Sequence, residues 1–184
     1  MEKKTKKRAQ HFTIVVDEYD NWWMGEIKAG ETAEQCRQRA LREAKEMGFS
    51  PISGFERADE GELWSCETEG ECGPGFAMAC KIDERALRDL RYITFYVSPE
   101  GKVGRLLNTA FLKDASVKAR EMLYQRGCNW VSEDCGEWEP RNSLELTEYP
   151  GTFGPCMDKT VWAKKKKDDP DEDADQWQFR GFII

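Results

Sequence analysis

The first hydrophobic pattern along the chain changes from a two-residue period to a helical one. Apolar residues alternate from Phe12 to Val16 and again from Trp23 to Ile27, with turn-forming residues between them. This alternation predicts a β-hairpin. From Ala33 to Met47 apolar residues recur three or four positions apart, which predicts a helix with one apolar face. The sequence therefore predicts a strand–strand–helix unit over residues 11–49.

The ends of that helix are marked by their own signals. Thr32 and Gln35 have the spacing of a capping box, and Gly48 is suited to the left-handed position after a helix. The apolar face consists mostly of small residues: Ala33, Cys36, Ala40, Ala44 and Met47. Such a face would let the helix lie close against a sheet.

The same order of elements returns later in the chain. Residues 83–127 predict a short helix, a hairpin turning at Ser98–Gly101, and a helix with Asp114 as its N-cap and Gly127 at its end. Gly127 follows Gly48 by 79 positions, so the two units form a structural pseudo-repeat. Between them, residues 61–81 alternate on both sides of a glycine-rich connection and predict a further hairpin.

Residues 128–184 predict a loop-rich region that ends in a hairpin. Alternation from Trp177 to Ile183 predicts a half-buried strand, and the charged run 164–176 becomes the exposed loop before it. The predicted fold is α+β: an antiparallel sheet built from two strand–strand–helix units plus additional hairpins, with long acidic loops. We expect a single domain over 11–184, preceded by a flexible basic arm over 1–10.

Composition limits the class of protein. Of 184 residues, 39% are hydrophobic and 34% are charged. The seven tryptophans indicate a folded chain, because disordered chains contain few aromatic residues. No stretch approaches the ~20 apolar residues of a membrane span, so no membrane partner is expected. The first residues lack the apolar core of a signal peptide, which favours a cytoplasmic location.

The acidic residues are concentrated in two segments that also carry tryptophan. Gly54 to Cys80 holds seven acids and one base, and Cys128 to Pro150 holds six acids and one base. Tryptophan in such a segment either anchors a loop on the core or forms an interface hot spot surrounded by charge. The predicted partner-binding residues are Glu62, Trp64, Glu67, Glu69 and Glu71 in the first segment and Glu133, Asp134, Glu137, Trp138 and Glu139 in the second.

These acidic segments predict a protein partner with a basic surface. Clustered carboxylates on a rigid sheet can imitate a phosphate backbone and occupy the basic groove of a nucleic-acid-binding enzyme. Small acidic chains without a catalytic motif are typical of inhibitors encoded by phages and mobile elements, anti-CRISPR proteins among them. The first functional hypothesis is therefore a non-enzymatic inhibitor or regulator of nucleic-acid-handling machinery.

A second hypothesis uses the basic residues of the chain. RNA or DNA would bind the basic N-terminal arm and the mixed-charge faces of the two main helices. The arm residues concerned are Lys3, Lys4, Lys6, Lys7 and Arg8.

One local resemblance agrees with that alternative. The segment 12–47, with "GETAEQCRQRALREA" after its hairpin, resembles the opening of the HicB-type antitoxin family, which enters its helix through a Gly-x-Thr-x-Glu-like start. Gly30, Thr32 and Glu34 match that start, although the turn "EYDNWW" lacks the glycine usual in the family. The resemblance covers under a quarter of the chain and implies an antitoxin-like or regulatory nucleic-acid-associated protein.

The cysteines raise a third hypothesis, a metal- or cysteine-dependent enzyme. The chain has seven cysteines and one histidine, His11, but no pair with the two-to-four-residue spacing of structural zinc sites. Convergence in space would be needed for zinc binding, and the candidates are Cys66, Cys72, Cys128 and Cys135. The alternative interpretation is that Cys66 and Cys80 are ordinary buried, reduced thiols. We therefore expect no cofactor. No catalytic motif for a hydrolase, nucleotide-binding enzyme or zinc protease occurs.

Overall fold

The computed structural model describes residues 9–17, 21–58, 62–82, 88, 92–107, 109, 112–133, 157–166 and 173–183. Over these residues the protein is α+β, with two helices and two antiparallel sheets. The predicted fold class is confirmed at this level. The chain divides into two compact units, Met1–Arg57 with Glu62–Ile82 and Ala58–Gly61 with Asp83–Ile184. A single domain over 11–184 stays a prediction.

The first unit is a sheet with one helix packed on it. Its elements are β1 (Gln10–Val16), β2 (Trp22–Met24), β3 (Lys28–Ala29), α1 (Ala33–Glu46), β4 (Ser50–Pro51), β5 (Glu56–Arg57), β6 (Leu63–Glu69) and β7 (Pro74–Lys81). The strand order is β2-β1-β7-β6-β4, with β3 also paired to β1 and β5 to β6. The hairpins predicted within 11–49 and 61–81 are confirmed, and pairing of β1 with β7 joins them.

Helix α1 begins where its capping signals predict. The Thr32 side chain accepts a hydrogen bond from the Gln35 amide at 3.2 Å, and the Gln35 side chain accepts from the Thr32 amide at 2.9 Å. Gly48 lies beyond the last turn with φ +93°, in the left-handed region that favours glycine. Local chemistry alone was enough to locate this helix.

The face that α1 presents to β1 and β7 is small, as predicted, but it also carries a charge. Cys36, Ala40 and Ala44 are fully buried, so the helix approaches the sheet closely. Two positions differ from the prediction. Met47 is the C-cap and is 39% exposed, while Arg39, outside the predicted apolar face, is buried.

In its described strands and its one helix of full length, the second unit is also a sheet with a helix packed on it. Its elements are β8 (Tyr92–Val97), β9 (Val103–Leu106), α2 (Leu112–Gln125), β10 (Cys128–Glu133), β11 (Met157–Lys165) and β12 (Asp175–Ile183), in the sheet order β10-β11-β12-β8-β9. Its core joins one face of the sheet to α2 through large residues such as Tyr96, Leu123 and Phe179. The predicted β8–β9 and C-terminal hairpins are confirmed.

Three predictions for this unit are corrected. Residues 128–133, which lie in the predicted loop-rich region, form strand β10. Helix α2 begins at Leu112, so Asp114 lies inside its first turn rather than at its N-cap. The charged loop is shorter than 164–176, because β11 continues through Lys165 and β12 begins at Asp175. Lys164 and Lys165 pair with Asn129 and Cys128 of β10, and this backbone pairing outweighs the low strand propensity of lysine.

The predicted single sheet is two sheets within the described residues. The hairpin β6–β7 pairs with β1, and the hairpin β8–β9 pairs with β12 from the chain end. Alternation identifies strands but does not identify their partners, so the number of sheets could not be read from the pattern.

Candidate functional site

Strand β6 carries three of the five binding residues predicted in the first acidic segment, Trp64, Glu67 and Glu69, and its two faces have different roles. Successive side chains of a strand point to opposite faces. Trp64 lies on the face that carries α1, because the Arg37 guanidinium of α1 lies 5.2 Å from the centre of its ring. Glu67 and Glu69, at odd positions of β6, lie on the opposite face. The sheet therefore separates the tryptophan from the two carboxylates that neighbour it in sequence.

Four carboxylates are grouped at this side of the sheet. Glu56 of β5 pairs with Ser65 of β6, which places it on the same face as Glu67 and Glu69. All three side chains are exposed, and exposed Glu71 follows in the β6–β7 turn. Within the described ranges none of the four carboxylates makes an ion pair or a hydrogen bond. We call Glu56, Glu67, Glu69 and Glu71 the acidic edge.

The acidic edge does not help the sheet to form. Positions two apart on one strand face are about 7 Å apart, and like charges near each other in a sheet are destabilising. Glu67 and Glu69 have this spacing on β6. A cation supplied by another molecule would relieve the repulsion.

The other two predicted residues of this segment already have partners in the protein. Glu62 forms an ion pair with Lys81, and both side chains are 41% exposed. Trp64 is half-buried beneath Arg37, whose Nε also donates to Glu34 at 3.2 Å. These contacts favour the interpretation of Trp64 as an anchor between β6 and α1.

A buried charge cluster, which was not predicted from the sequence, lies between α1 and β1. We use this name for Arg39, Glu31, Glu43 and Thr13. The Arg39 guanidinium donates to the two Glu31 oxygens at 3.0 and 2.8 Å, to Glu43 at 3.2 Å and to the Thr13 hydroxyl at 3.1 Å. The Thr13 hydroxyl in turn donates to Glu43. The i,i+4 pair Arg39–Glu43 beside an apolar stripe was the signal that could have revealed it.

The contact between Arg39 and Glu31 favours the ionised form of Glu31. The Arg39 side chain is only 5% exposed and that of Glu31 11%. The hydrogen bond from Arg39 holds the pKa of Glu31 below its ordinary value. Arg39 makes a bidentate contact with Glu31 and a further contact with Glu43. These contacts offset the free-energy cost of burying the arginine charge.

His11 and Cys36 lie at the same helix–sheet boundary but do not form an activated nucleophile. Burial raises the pKa of the Cys36 thiol to about 12, and the thiol donates to the Phe12 carbonyl at 3.3 Å. Burial also lowers the pKa of His11, which is 3% exposed and whose Nδ1 has no hydrogen-bond partner among the described residues. A protonated thiol of this kind is inert, since the thiolate is the nucleophile.

The candidate zinc ligands occupy different environments. Cys66 is buried with its thiol donating to the Ser53 carbonyl at 3.1 Å, and Cys72 is exposed in the β6–β7 turn. Cys128 is buried in the second unit, and Cys135 lies outside the described residues. Over the part of the chain that is described, no three metal-ligating side chains form a group suited to a metal ion.

The side chains of the remaining candidate residues lie outside the described part of the structure. The arm residues Lys3, Lys4, Lys6, Lys7 and Arg8 precede the described residues. Glu133 ends β10, and Asp134, Glu137, Trp138 and Glu139 lie outside the described ranges. Their roles stay predictions, as do the nucleic-acid and enzyme alternatives.

Comparison with known proteins supplies no relative. No family model, no curated protein and no solved structure matches the chain. The likeness to HicB-type antitoxins therefore stays a local pattern. Neither α1 nor α2, the helices of the described residues, is long and apolar enough to cross a membrane.

Proposed function

We propose that the protein is a non-enzymatic binding protein whose acidic edge engages a basic surface of another macromolecule. The partner class is a nucleic-acid-handling protein, which this chain inhibits or regulates. The observation that carries the proposal is a set of exposed carboxylates, Glu56, Glu67 and Glu69, which lie on one sheet face and form no ion pair among the described residues.

Two physical features make this set suitable for binding. The backbone that carries the carboxylates is fixed by strand pairing, so no backbone ordering is needed when a partner binds. Their regular spacing also presents a row of negative charge, which is the feature of nucleic acid that basic grooves recognise. Long-range attraction to such a row raises the association rate more than the affinity.

The test compares two variants of equal net charge in affinity capture from the cells that produce the protein. The first variant, Glu56→Gln with Glu67→Gln and Glu69→Gln, neutralises three residues of the acidic edge. The control variant, Glu26→Gln with Glu121→Gln and Asp173→Asn, neutralises three exposed acids elsewhere. We expect a basic protein to be captured by the wild type and the control, and to be lost with the acidic-edge variant.

The captured protein is then purified and its association rate measured at several salt concentrations. We expect the acidic-edge variant to slow association about tenfold at low salt, with little difference near 1 M salt. Equal capture by the two variants, or a partner whose binding is insensitive to salt, would contradict the proposal.

A further inference from the structure

An exposed apolar residue lies in the chain that joins α1 to β5. Phe49 and Phe55 of this segment pack in the core cluster that includes Ala40 and Ala44 of α1. Ile52 lies between the two phenylalanines in sequence and is 58% exposed. The segment is therefore anchored on the core at both ends and presents an isoleucine to solvent in the middle.

The register of β4 places Ile52 beside the acidic edge. Strand β4 pairs with β6 so that Ser50 lies opposite Glu69. The Ile52 amide continues this pairing, because it donates to the Glu67 carbonyl at 2.9 Å. Residues opposite each other on antiparallel strands share a face and have Cβ atoms about 5 Å apart. Ile52 and Glu67 are therefore neighbours on the sheet face that carries the acidic edge.

A second apolar residue lies on the other side of Glu67. Phe76 of β7 pairs with Glu67 and is half-buried. Ile52, Glu67 and Phe76 thus follow one another across three neighbouring strands, and we call them the mixed row. Since neighbouring strands are about 4.8 Å apart, the two apolar residues at the ends of the row are separated by about 10 Å.

We propose that the mixed row binds an amphipathic, basic α-helix of the partner. This inference rests on the proposed function and specifies the element that the partner supplies. Residues i and i+7 of a helix lie on one face about 10.5 Å apart, which matches the separation of Ile52 and Phe76. Apolar residues at these two positions would cover Ile52 and Phe76, while a lysine or arginine at i+3 or i+4 would reach Glu67 between them.

Charge and backbone pairing favour this occupant over others. Glu56 and Glu69 lie on the same face as the mixed row and form no ion pair among the described residues, so a basic helix would supply their counter-charge. An added β-strand is disfavoured, because β4 and β5 already pair with the outer edge of β6.

The test measures the dissociation constants of three synthetic peptides with the full chain by fluorescence anisotropy. The helical probe carries leucine at every seventh position, lysine three and four residues after each leucine, and alanine elsewhere. The charge control replaces each leucine by alanine, which keeps the net charge and a high helix propensity. The strand probe contains the residues of the helical probe with the leucines two positions apart, the spacing of one strand face.

We expect the wild type to bind the helical probe at least about tenfold more tightly than either of the other peptides. Ile52→Ser should remove most of this advantage. The matched control is Val117→Ser, which replaces an apolar side chain of α2 that is 54% exposed and should keep the advantage. Glu67→Gln should weaken binding of the helical probe and of the charge control alike, since both carry the lysines.

The outcomes separate this inference from the proposed function. Equal binding of the helical probe and the charge control, an advantage that survives Ile52→Ser, or tighter binding of the strand probe would overturn the helix proposal and leave the acidic edge as a site for basic ligands. The proposed function fails instead if the charge control binds equally to the wild type and to the variant Glu56→Gln with Glu67→Gln and Glu69→Gln. Absence of binding by all three peptides would overturn both.

Discussion

The first unit contains two sets of carboxylates, one paired with a buried arginine and one exposed without an ion pair among the described residues. In the buried charge cluster, Glu31 and Glu43 contact Arg39 on the α1 face. On the opposite face, Glu67 and Glu69 of the acidic edge are exposed and form no ion pair among the described residues. Glutamate is thus paired with a cation inside the first unit, whereas the glutamates of the acidic edge repel each other and destabilise the sheet.

Carboxylates with a structural role and carboxylates with a binding role should differ in how much they contribute to the free energy of unfolding. Removing one partner of a buried ion pair costs about 3–5 kcal/mol, because the other partner remains charged and unpaired. Exposed charges usually contribute within about 0.5 kcal/mol. Residues that matter to folding and residues that matter to a partner should therefore be distinguishable by unfolding measurements alone.

The largest expected effect is that of Arg39→Met. Methionine keeps much of the side-chain volume but leaves Glu31 and Glu43 without their cation. We expect the free energy of unfolding at pH 7, measured in urea, to fall by roughly 3 kcal/mol. The control is Arg42→Met, an exposed position of the same helix, which should change stability by less than about 0.5 kcal/mol. Equal effects at the two positions would remove the distinction between buried and exposed charge.

A smaller loss is expected from Gly25→Ala. An added Cβ would collide with the Thr13 hydroxyl and lie 2.7 Å from a Glu43 oxygen, so it would push apart the buried charge cluster. The expected cost is about 1–3 kcal/mol in the same urea experiment. Gly54→Ala is the matched control, since nothing lies within 4 Å of a Cβ there. A Gly25→Ala variant as stable as the Gly54→Ala variant would show that the cluster tolerates displacement.

The next effect concerns pH and His11, the one histidine of the chain. Because burial lowers its pKa from the ordinary 6.5, the unfolded chain binds more protons in this range. Stability should therefore be complete above pH 6.5 and decline as the pH falls through 6.5 towards the folded pKa. Glu31, whose pKa is also lowered, should add a separate loss only below about pH 4.5.

Urea midpoints measured from pH 8 to pH 5 check this behaviour. His11→Asn should remove the decline between pH 7 and pH 5, whatever its effect on stability at pH 8. A decline of the same slope in the variant would assign it to other groups.

The sequence predicted what short-range chemistry determines. Thr32, Gln35 and Gly48 defined the ends of α1, and alternation defined the hairpins, because these signals act between residues close together in the chain. The pairing of β1 with β7 and of β8 with β12 links distant segments, and no local pattern encodes it.

At the candidate site, too, local features were predictable from the sequence and contacts between distant residues were not. The acid-rich composition of the segment around β6 is visible in the sequence, but the prediction groups Trp64 with Glu67, whereas the strand places them on opposite faces. The buried role of Arg39 depended on three partners, of which only Glu43 lies at helical spacing. Of its two counter-charges, Glu43 belongs to the same helix and Glu31 precedes that helix, so helical spacing could identify only one of them.

The smallest expected effect is on the acidic edge itself. Glu67→Gln and Glu69→Gln remove charges that repel each other and have no partner among the described residues, so each should change the free energy of unfolding by less than about 0.5 kcal/mol, and any change should be stabilising. Urea unfolding at low salt, where surface repulsion is largest, gives the most sensitive measurement. Losses above 1 kcal/mol would mean that the carboxylates hold the fold together, and the contrast with Glu31 would fail. Stability retained while capture of a basic partner is lost would be the pattern of residues kept for binding.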